Sequence, residues 1–242
     1  MTSIQFYEKY APLLHMDKGD YKTFALTGGR GFMKKGNAGR AVLIHLMRAK
    51  KSAVAFREIM RALQESLYAE FVALIECEFK GMGFSYDKQR IYHKNGSVLF
   101  FNGLKDQNAN SRERLKGMAG VDLCIIDEAQ SVSRACFDAL LPTLRKEGVI
   151  LIVIYNRVEA HLPVEEALFL DYDTFSAPPG TLFVEVYSPE IAHLGLISQQ
   201  FIRRAELVKQ HRPDEYARDY LNKPRGCSLN KVVKYFSPEH ID

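Results

Sequence analysis

No stretch of the sequence approaches the roughly 18 to 20 uninterrupted apolar residues that a membrane helix needs. The opening MTSIQFYEKY has no apolar core of the kind a secretion signal carries. A soluble, intracellular protein without membrane contact is expected. Cysteine is sparse: Cys77, Cys124, Cys136 and Cys227 lie far apart with no CxxC pair, which argues against a zinc site and against a disulfide framework. There is no internal repeat and no low-complexity tract. One-sided charge is also lacking, since a net +4 suits a polyanionic partner and suits many ordinary enzymes equally well.

What is present is material for a core: 242 residues, 47% of them hydrophobic. KTFALT at 22–27 is a short apolar run that ends in the Gly-rich TGGRGFMKKG and is followed by an apolar-rich stretch from Ala38 to Lys51, an order that reads strand, loop, helix. SAVAF at 52–56 is a second buried-strand candidate, followed by helical spacing of Ile59, Leu63, Leu67, Phe71 and Leu74 between about Arg57 and Lys80. From 84 to 103 two β-rich runs flank Asn95-Gly96, a strong short-range hairpin signal, read here as an edge hairpin. VDLCII at 121–126 and VILIVIY at 149–155 are continuous apolar runs, as parallel strands buried on both faces require. TLFVEVY at 181–187 reads as a further strand, and a last helix is expected between about Ser198 and Tyr220, broken or restarted at Pro213. Alternating strands and helices predict an α/β fold with a mostly parallel central sheet flanked by helices.

Two segments suggest chemistry. Gly28, Gly29, Arg30, Gly31, Phe32, Met33, Lys34 and Lys35 lie between a strand and a helix, where backbone N–H groups and a helix N-terminus converge to hold phosphate. Glycines let the chain curl round the anion and Lys34 can reach its outer oxygens. Taken alone, the same residues also suit a plain basic turn. Well downstream, CIIDEAQ ends an apolar strand in two acids: Asp127 is placed to hold a magnesium-bound water and Glu128 to orient or deprotonate an attacking water. Asp127 and Glu128 alone would also suit a helix start. Loop and acids in this order are harder to dismiss. Asn156, closing the next apolar run, is a candidate sensor of the terminal phosphate, and equally a turn-forming residue.

The series YKTFALTGGRG, AFREIMRALQESL, VLFFNGLKDQ, LKGMAGVDLCIIDEAQSVS, LLPTLRK, IYN and DEYARDYLNKP resembles, in order, the ATPase domain of tailed-phage terminase large subunits, over about Tyr21 to Pro224. The resemblance implies a P-loop NTPase fold over residues 1–225, with 226–242 as a tail leading towards a nuclease domain. It implies a motor that hydrolyses ATP with Mg2+ and drives double-stranded DNA into a procapsid. The motor would work in the host cytoplasm as a homo-oligomeric ring, with the portal protein and the small terminase subunit as partners. Matched position by position, Gly29, Gly31 and Lys34 fall in the phosphate loop, Arg30 on a loop arginine able to act as a finger in cis, Asp127 and Glu128 on the acidic pair, and Asn156 on the coupling position. Gly28 and Lys35 complete the expected nucleotide-binding set, and the basic loop from Lys105 to Lys116 is a candidate DNA- or subunit-facing segment, or simply a solvated loop.

Three positions depart from the family pattern. Lys35 stands where Ser or Thr usually ligates magnesium, and an ammonium has no lone pair to offer. Phe32 replaces a small loop residue, and Arg157 replaces the proline after the coupling asparagine. The changes at 32 and 35 argue for weak nucleotide binding and against fast turnover, and leave a catalytically impaired assembly module of the packaging complex as a rival expectation; a helicase-like DNA-dependent ATPase sharing only the core motifs is another. The sequence holds no carboxylate cluster suited to two metals outside these motifs, so nuclease activity is not expected.

Overall fold

The apolar runs without helical spacing become strands, and in this computed structural model they build one eight-stranded sheet. The structure describes residues 4, 6–29, 33–58, 64–104, 120–186 and 198–224. In chain order the strands are β1 (Thr23–Gly28), β2 (Ser52–Arg57), β3 (Phe84–Tyr86), β4 (Arg90–His93), β5 (Val98–Gly103), β6 (Leu123–Ile126), β7 (Ile150–Ile154) and β8 (Thr181–Val186). Their spatial order is β3-β4-β5-β2-β6-β7-β1-β8. The five strands from β5 to β1 run parallel, whereas β3, β4 and β5 pair antiparallel at one edge.

Every residue of β6 and β7 is buried, which is why neither shows polar alternation. β5, towards the edge, alternates buried and half-buried positions instead. The parallel register pairs Phe56 with Ile126 and Ile126 with Val153, so the C-terminal ends of β2, β6 and β7 finish together at one rim. Open parallel sheets bind ligands outside that rim.

Among the described residues the α-helices of the main unit are α1 (Lys34–Arg48), α2 (Ala69–Cys77), α3 (Arg134–Leu140) and α4 (Pro163–Ala167). α1 begins four residues earlier than the apolar pattern suggested, directly at the loop lysine. It buries Ala38, Val42, Leu43 and Leu46 and lies close to α2 at Gly39, where a Cβ would come within 2.8 Å of Leu74 Cδ1. Of the long helix expected between Arg57 and Lys80, the described part is a π-helical turn, Gln64–Tyr68, running into α2. Phe71 packs edge-on against Phe101 of β5 at 5.7 Å and ties α2 to the sheet; burying a side chain of this size contributes about 1.5–3 kcal/mol.

The hairpin turn has a second task. Asn95 Nδ2 donates to the carbonyls of Leu46 (2.8 Å) and Met47 (3.2 Å), and Ser97 Oγ donates to Leu46 O (2.8 Å). These carbonyls belong to the last turn of α1, which has no intrahelical donors left for them. A 3-10 helix, Glu8–His15, not anticipated from sequence, buries Tyr10 and Leu13, and His45 Nε2 hydrogen-bonds Leu13 O at 3.0 Å.

The chain divides into two compact units: Met1–Thr27, Met33–Tyr155 and Pro163–Glu185 form the first, and Gly28–Phe32, Asn156–Leu162 and Val186–Asp242 the second. The second contains α5 (Gln199–His211) and α6 (Pro213–Leu221). Pro213 does restart the helix, opening α6 at its first position, where no N–H is required. Phe201 and Tyr220 join the two helices with rings 5.5 Å apart.

Candidate active site

At the C-terminal rim of the first unit the structure gathers Lys34, Lys35, Arg57, Glu70, Asp127 and Glu128. Asp127 follows β6 directly, its N–H donating to Phe56 O at 2.9 Å, and it is almost fully buried, at 1% exposure. Because Phe56 pairs with Ile126, the next residues, Arg57 and Asp127, stand side by side on neighbouring parallel strands. Arg57 Nε lies 3.7 Å from Asp127 Oδ2, and Arg57 Nη2 forms an ion pair with Glu128 Oε1. Glu128 has a left-handed backbone (φ 51°, ψ 44°), a conformation that costs a non-glycine residue on the order of 1 kcal/mol and recurs at functional sites.

Lys34 and Lys35 occupy the first turn of α1, which starts at Met33 in the left-handed conformation (φ 56°). Asn37, fully buried, secures that start: its Nδ2 donates to Met33 O at 2.9 Å and its Oδ1 accepts from Tyr7 N at 3.1 Å. Burial pushes the Lys34 amine down from 10.5 to about 7, against the opposite pull of Asp127 and Glu185 and with the help of Lys35. A phosphate anion beside such an amine would favour its charged form. Lys35 Nζ donates to Ser66 Oγ at 3.0 Å and lies 3.2 Å from Asp127 Oδ2 and 3.6 Å from Glu70 Oε2. The Glu70 carboxyl is raised above its usual range, first by burial and then by Asp127, with Lys35 acting in the opposite direction.

The structure thus brings four of the sequence candidates, Lys34, Lys35, Asp127 and Glu128, to one place. Gly28 ends β1 with φ 148°, a backbone that suits glycine. Gly28 and Gly29 belong to the second unit, and so does Asn156, whose carbonyl accepts from Val158 N at 3.0 Å. Arg30, Gly31, Phe32 and the basic loop from Lys105 to Lys116 lie outside the described residues. Arg157, where the family pattern has proline, donates its backbone N–H to Asn222 Oδ1 at 2.9 Å, a bond that proline cannot make. Arg57, Glu70 and Ser66 went unnoticed in the sequence. An arginine directly after a buried strand was the one available signal, and it reads equally well as the start of a helix.

Residues 20–221 match the family model described as "Phage terminase large subunit". The chain belongs to that family. Among solved structures it is similar to the large terminase of a thermophilic bacteriophage, with a TM-score of 0.70 at 13% identity over 90% of this chain and 53% of that one. That terminase is also known in complexes with ADP and with ATP-gamma-S. The large terminase ATPase domain of Thermus phage P74-26 gives a TM-score of 0.64 at 14% identity, covering 91% of this chain and 99% of that domain. The N-terminal domain of the DNA packaging ATPase from bacteriophage phi29 gives 0.52 at 16% identity, over 75% and 96%. No curated protein matches in sequence. The chain spans about half the length of the thermophilic phage terminase. These likenesses establish the fold as that of a terminase ATPase domain, with its mostly parallel sheet and edge hairpin.

The magnesium that such a fold implies meets an ammonium among its oxygen donors here. Asp127 Oδ2, the buried carboxylate oxygen at the rim, has the Lys35 ammonium at 3.2 Å; it makes no well-aligned hydrogen bond, so the contact is an ionic one. Lys35 has three N–H donors and no lone pair. Among the described residues no group of three His, Cys, Asp or Glu side chains is placed to hold a metal ion. The residues present do not fit a divalent cation.

Proposed function

We propose that this chain is the ATP-hydrolysing motor domain of a phage large terminase, converting ATP hydrolysis into movement of double-stranded DNA into a procapsid. The observation that carries the reading is the rim cluster: within one unit, a buried lysine on the first helical turn lies in the field of a strand-end aspartate, and the next residue after that aspartate is a glutamate held by an arginine. Membership of the terminase family and the nucleotide complexes of the thermophilic phage terminase support it.

In this reading Lys34 takes the terminal phosphates, with Gly28, Gly29, Arg30 and Gly31 lending backbone donors and Arg30 its guanidinium. Glu128 accepts the proton of a water that attacks the γ-phosphorus; the bond to the bridging β–γ oxygen breaks, and ADP leaves with that electron pair. Arg57 is a positioning residue, since it touches Glu128 rather than the nucleotide. Asn156 relays the state of the terminal phosphate. The ring on the portal, the small terminase subunit and the DNA itself are the partners of this proposal.

Phosphate release from ATP by the purified chain, with and without double-stranded DNA, tests it. Glu128→Gln should lower turnover by about 100-fold or more, the usual scale for a lost general base, while nucleotide stays bound. Turnover unchanged by Glu128→Gln would refute the assignment.

A further inference from the structure

A metal site needs lone pairs around an opening for a cation, and at this rim that opening holds a side chain of the protein itself. Lys35 Nζ sits among Asp127 Oδ2 (3.2 Å), Glu70 Oε2 (3.6 Å) and Ser66 Oγ (3.0 Å). Two carboxylates and a hydroxyl around one point are the oxygen donors a hard cation prefers; here they surround an ammonium. The Lys35 side chain is about a quarter exposed, at 26%, and so still reaches the side where phosphate would arrive. Its neighbour Lys34 is the buried amine of the same helical turn.

We propose that Lys35 is a built-in cation that takes the place of the divalent metal, so that this chain binds ATP without magnesium. The inference rests on the nucleotide reading given above. Covalent attachment to α1 removes the cost of recruiting a free ion, because the charge is already present when nucleotide arrives. A divalent ion entering beside Asp127 would meet a like charge at close range, and it would have to displace Lys35 from both carboxylates and from Ser66. Lys35 lacks the second charge of a metal, but its charge can serve Asp127 while its donors serve Ser66 and a phosphate oxygen.

Titration of the whole purified chain with ATP, by calorimetry, in EDTA and again in excess magnesium tests the proposal. The expected dissociation constants agree within about 3-fold in the two buffers. Lys35→Ser, which returns a hydroxyl to the position, should bind ATP at least ~10-fold more weakly in EDTA and recover in magnesium. Without nucleotide, Mn2+ followed by its paramagnetic resonance should remain free with the natural chain and become bound by Lys35→Ser. Wild-type binding that is at least ~10-fold tighter in magnesium overturns the proposal and leaves the ATP reading standing; so does a folded Lys35→Ser that is indifferent to metal. Absence of ATP binding in both buffers refutes the nucleotide reading and this inference with it. Should Lys35→Ser fail to fold, the two wild-type titrations decide alone.

Discussion

Arg57 Nη2 is ion-paired with Glu128 Oε1 across two neighbouring parallel strands. On the function proposed above, the carboxylate that acts on water is held in place by Arg57, which also lies beside Asp127. Arg57 is mostly buried whereas the Glu128 side chain is 46% exposed, so solvent partly screens the pair and its loss is felt through the placement of the carboxylate. Arg57→Ala should lower kcat for ATP by about 10- to 100-fold, the scale of a misplaced catalytic group, with the nucleotide dissociation constant changed by less than about 3-fold. Arg57→Lys, which retains a cation without the fork, should recover only part of the loss. Equal losses in kcat and in affinity would assign Arg57 to nucleotide binding instead.

How much of this was readable beforehand divides along a physical line. Asp127, Glu128 and Lys34 announced themselves because their signal is local: an apolar run ending in acids, a glycine turn ending in lysine. Strands β6 and β7 were legible for the same reason, as unbroken apolar runs of a length suited to burial on both faces. Arg57 and Glu70 were not legible, because their roles depend on strand order and on how α2 lies against α1, and neither is written in any short window. Lys35 was visible as a departure from the family pattern, but the pattern could not say where its ammonium goes.

If Lys34 takes the phosphates as proposed, its depressed amine makes nucleotide binding a proton-uptake reaction. In the unfolded chain lysine titrates near 10.4; in the folded one burial lowers Lys34 to about 7. The sign follows from linkage: between these values the unfolded state holds more proton, so this group's destabilising effect is complete below about pH 7 and fades as pH rises towards about 10.4. A bound phosphate favours the ammonium and draws the proton back. At pH 8, ATP binding by the full chain should take up close to one proton at Lys34, measured by calorimetry in buffers of different ionisation enthalpy. Affinity should fall by up to about tenfold per pH unit above 7. Lys34→Met should abolish the proton uptake and most of the binding. Uptake unchanged in that variant would place the titrating group elsewhere.

The Asn95 and Ser97 bonds to the end of α1 turn a hairpin corner into a helix cap. Asn95→Ala removes the donor to Leu46 O and Met47 O and the acceptor for Ser97 N (2.9 Å). It should cost about 1–3 kcal/mol, the penalty for polar groups left unpaired within a fold, seen as a lower midpoint in urea with an unchanged slope. Asn95→Asp offers only acceptors and should recover little. Gly96, at φ 88°, tolerates no side chain without strain, so Gly96→Val should be destabilising as well.

Cysteine reactivity gives an independent reading of the sheet. Cys124 is fully buried in the middle of β6, and burial raises its thiol far above the ordinary value, which leaves almost no thiolate at neutral pH. Cys77, at the end of α2, is exposed. With an aromatic disulfide reagent at pH 8, Cys77→Ser should remove one fast-reacting equivalent from the native chain. Cys124→Ser should remove none from the native chain and one from the chain unfolded in guanidinium. Because the thiolate is the attacking species and must reach solvent to react, a native-state reaction of Cys124 would have to pass through opening of β6 from β2 and β7. Its rate is therefore a direct measure of how firmly the strand bearing Asp127 is held. If Cys124 reacted as fast as Cys77 in the native protein, β6 could not be a central buried strand, and the rim that gathers the acids and lysines would not form.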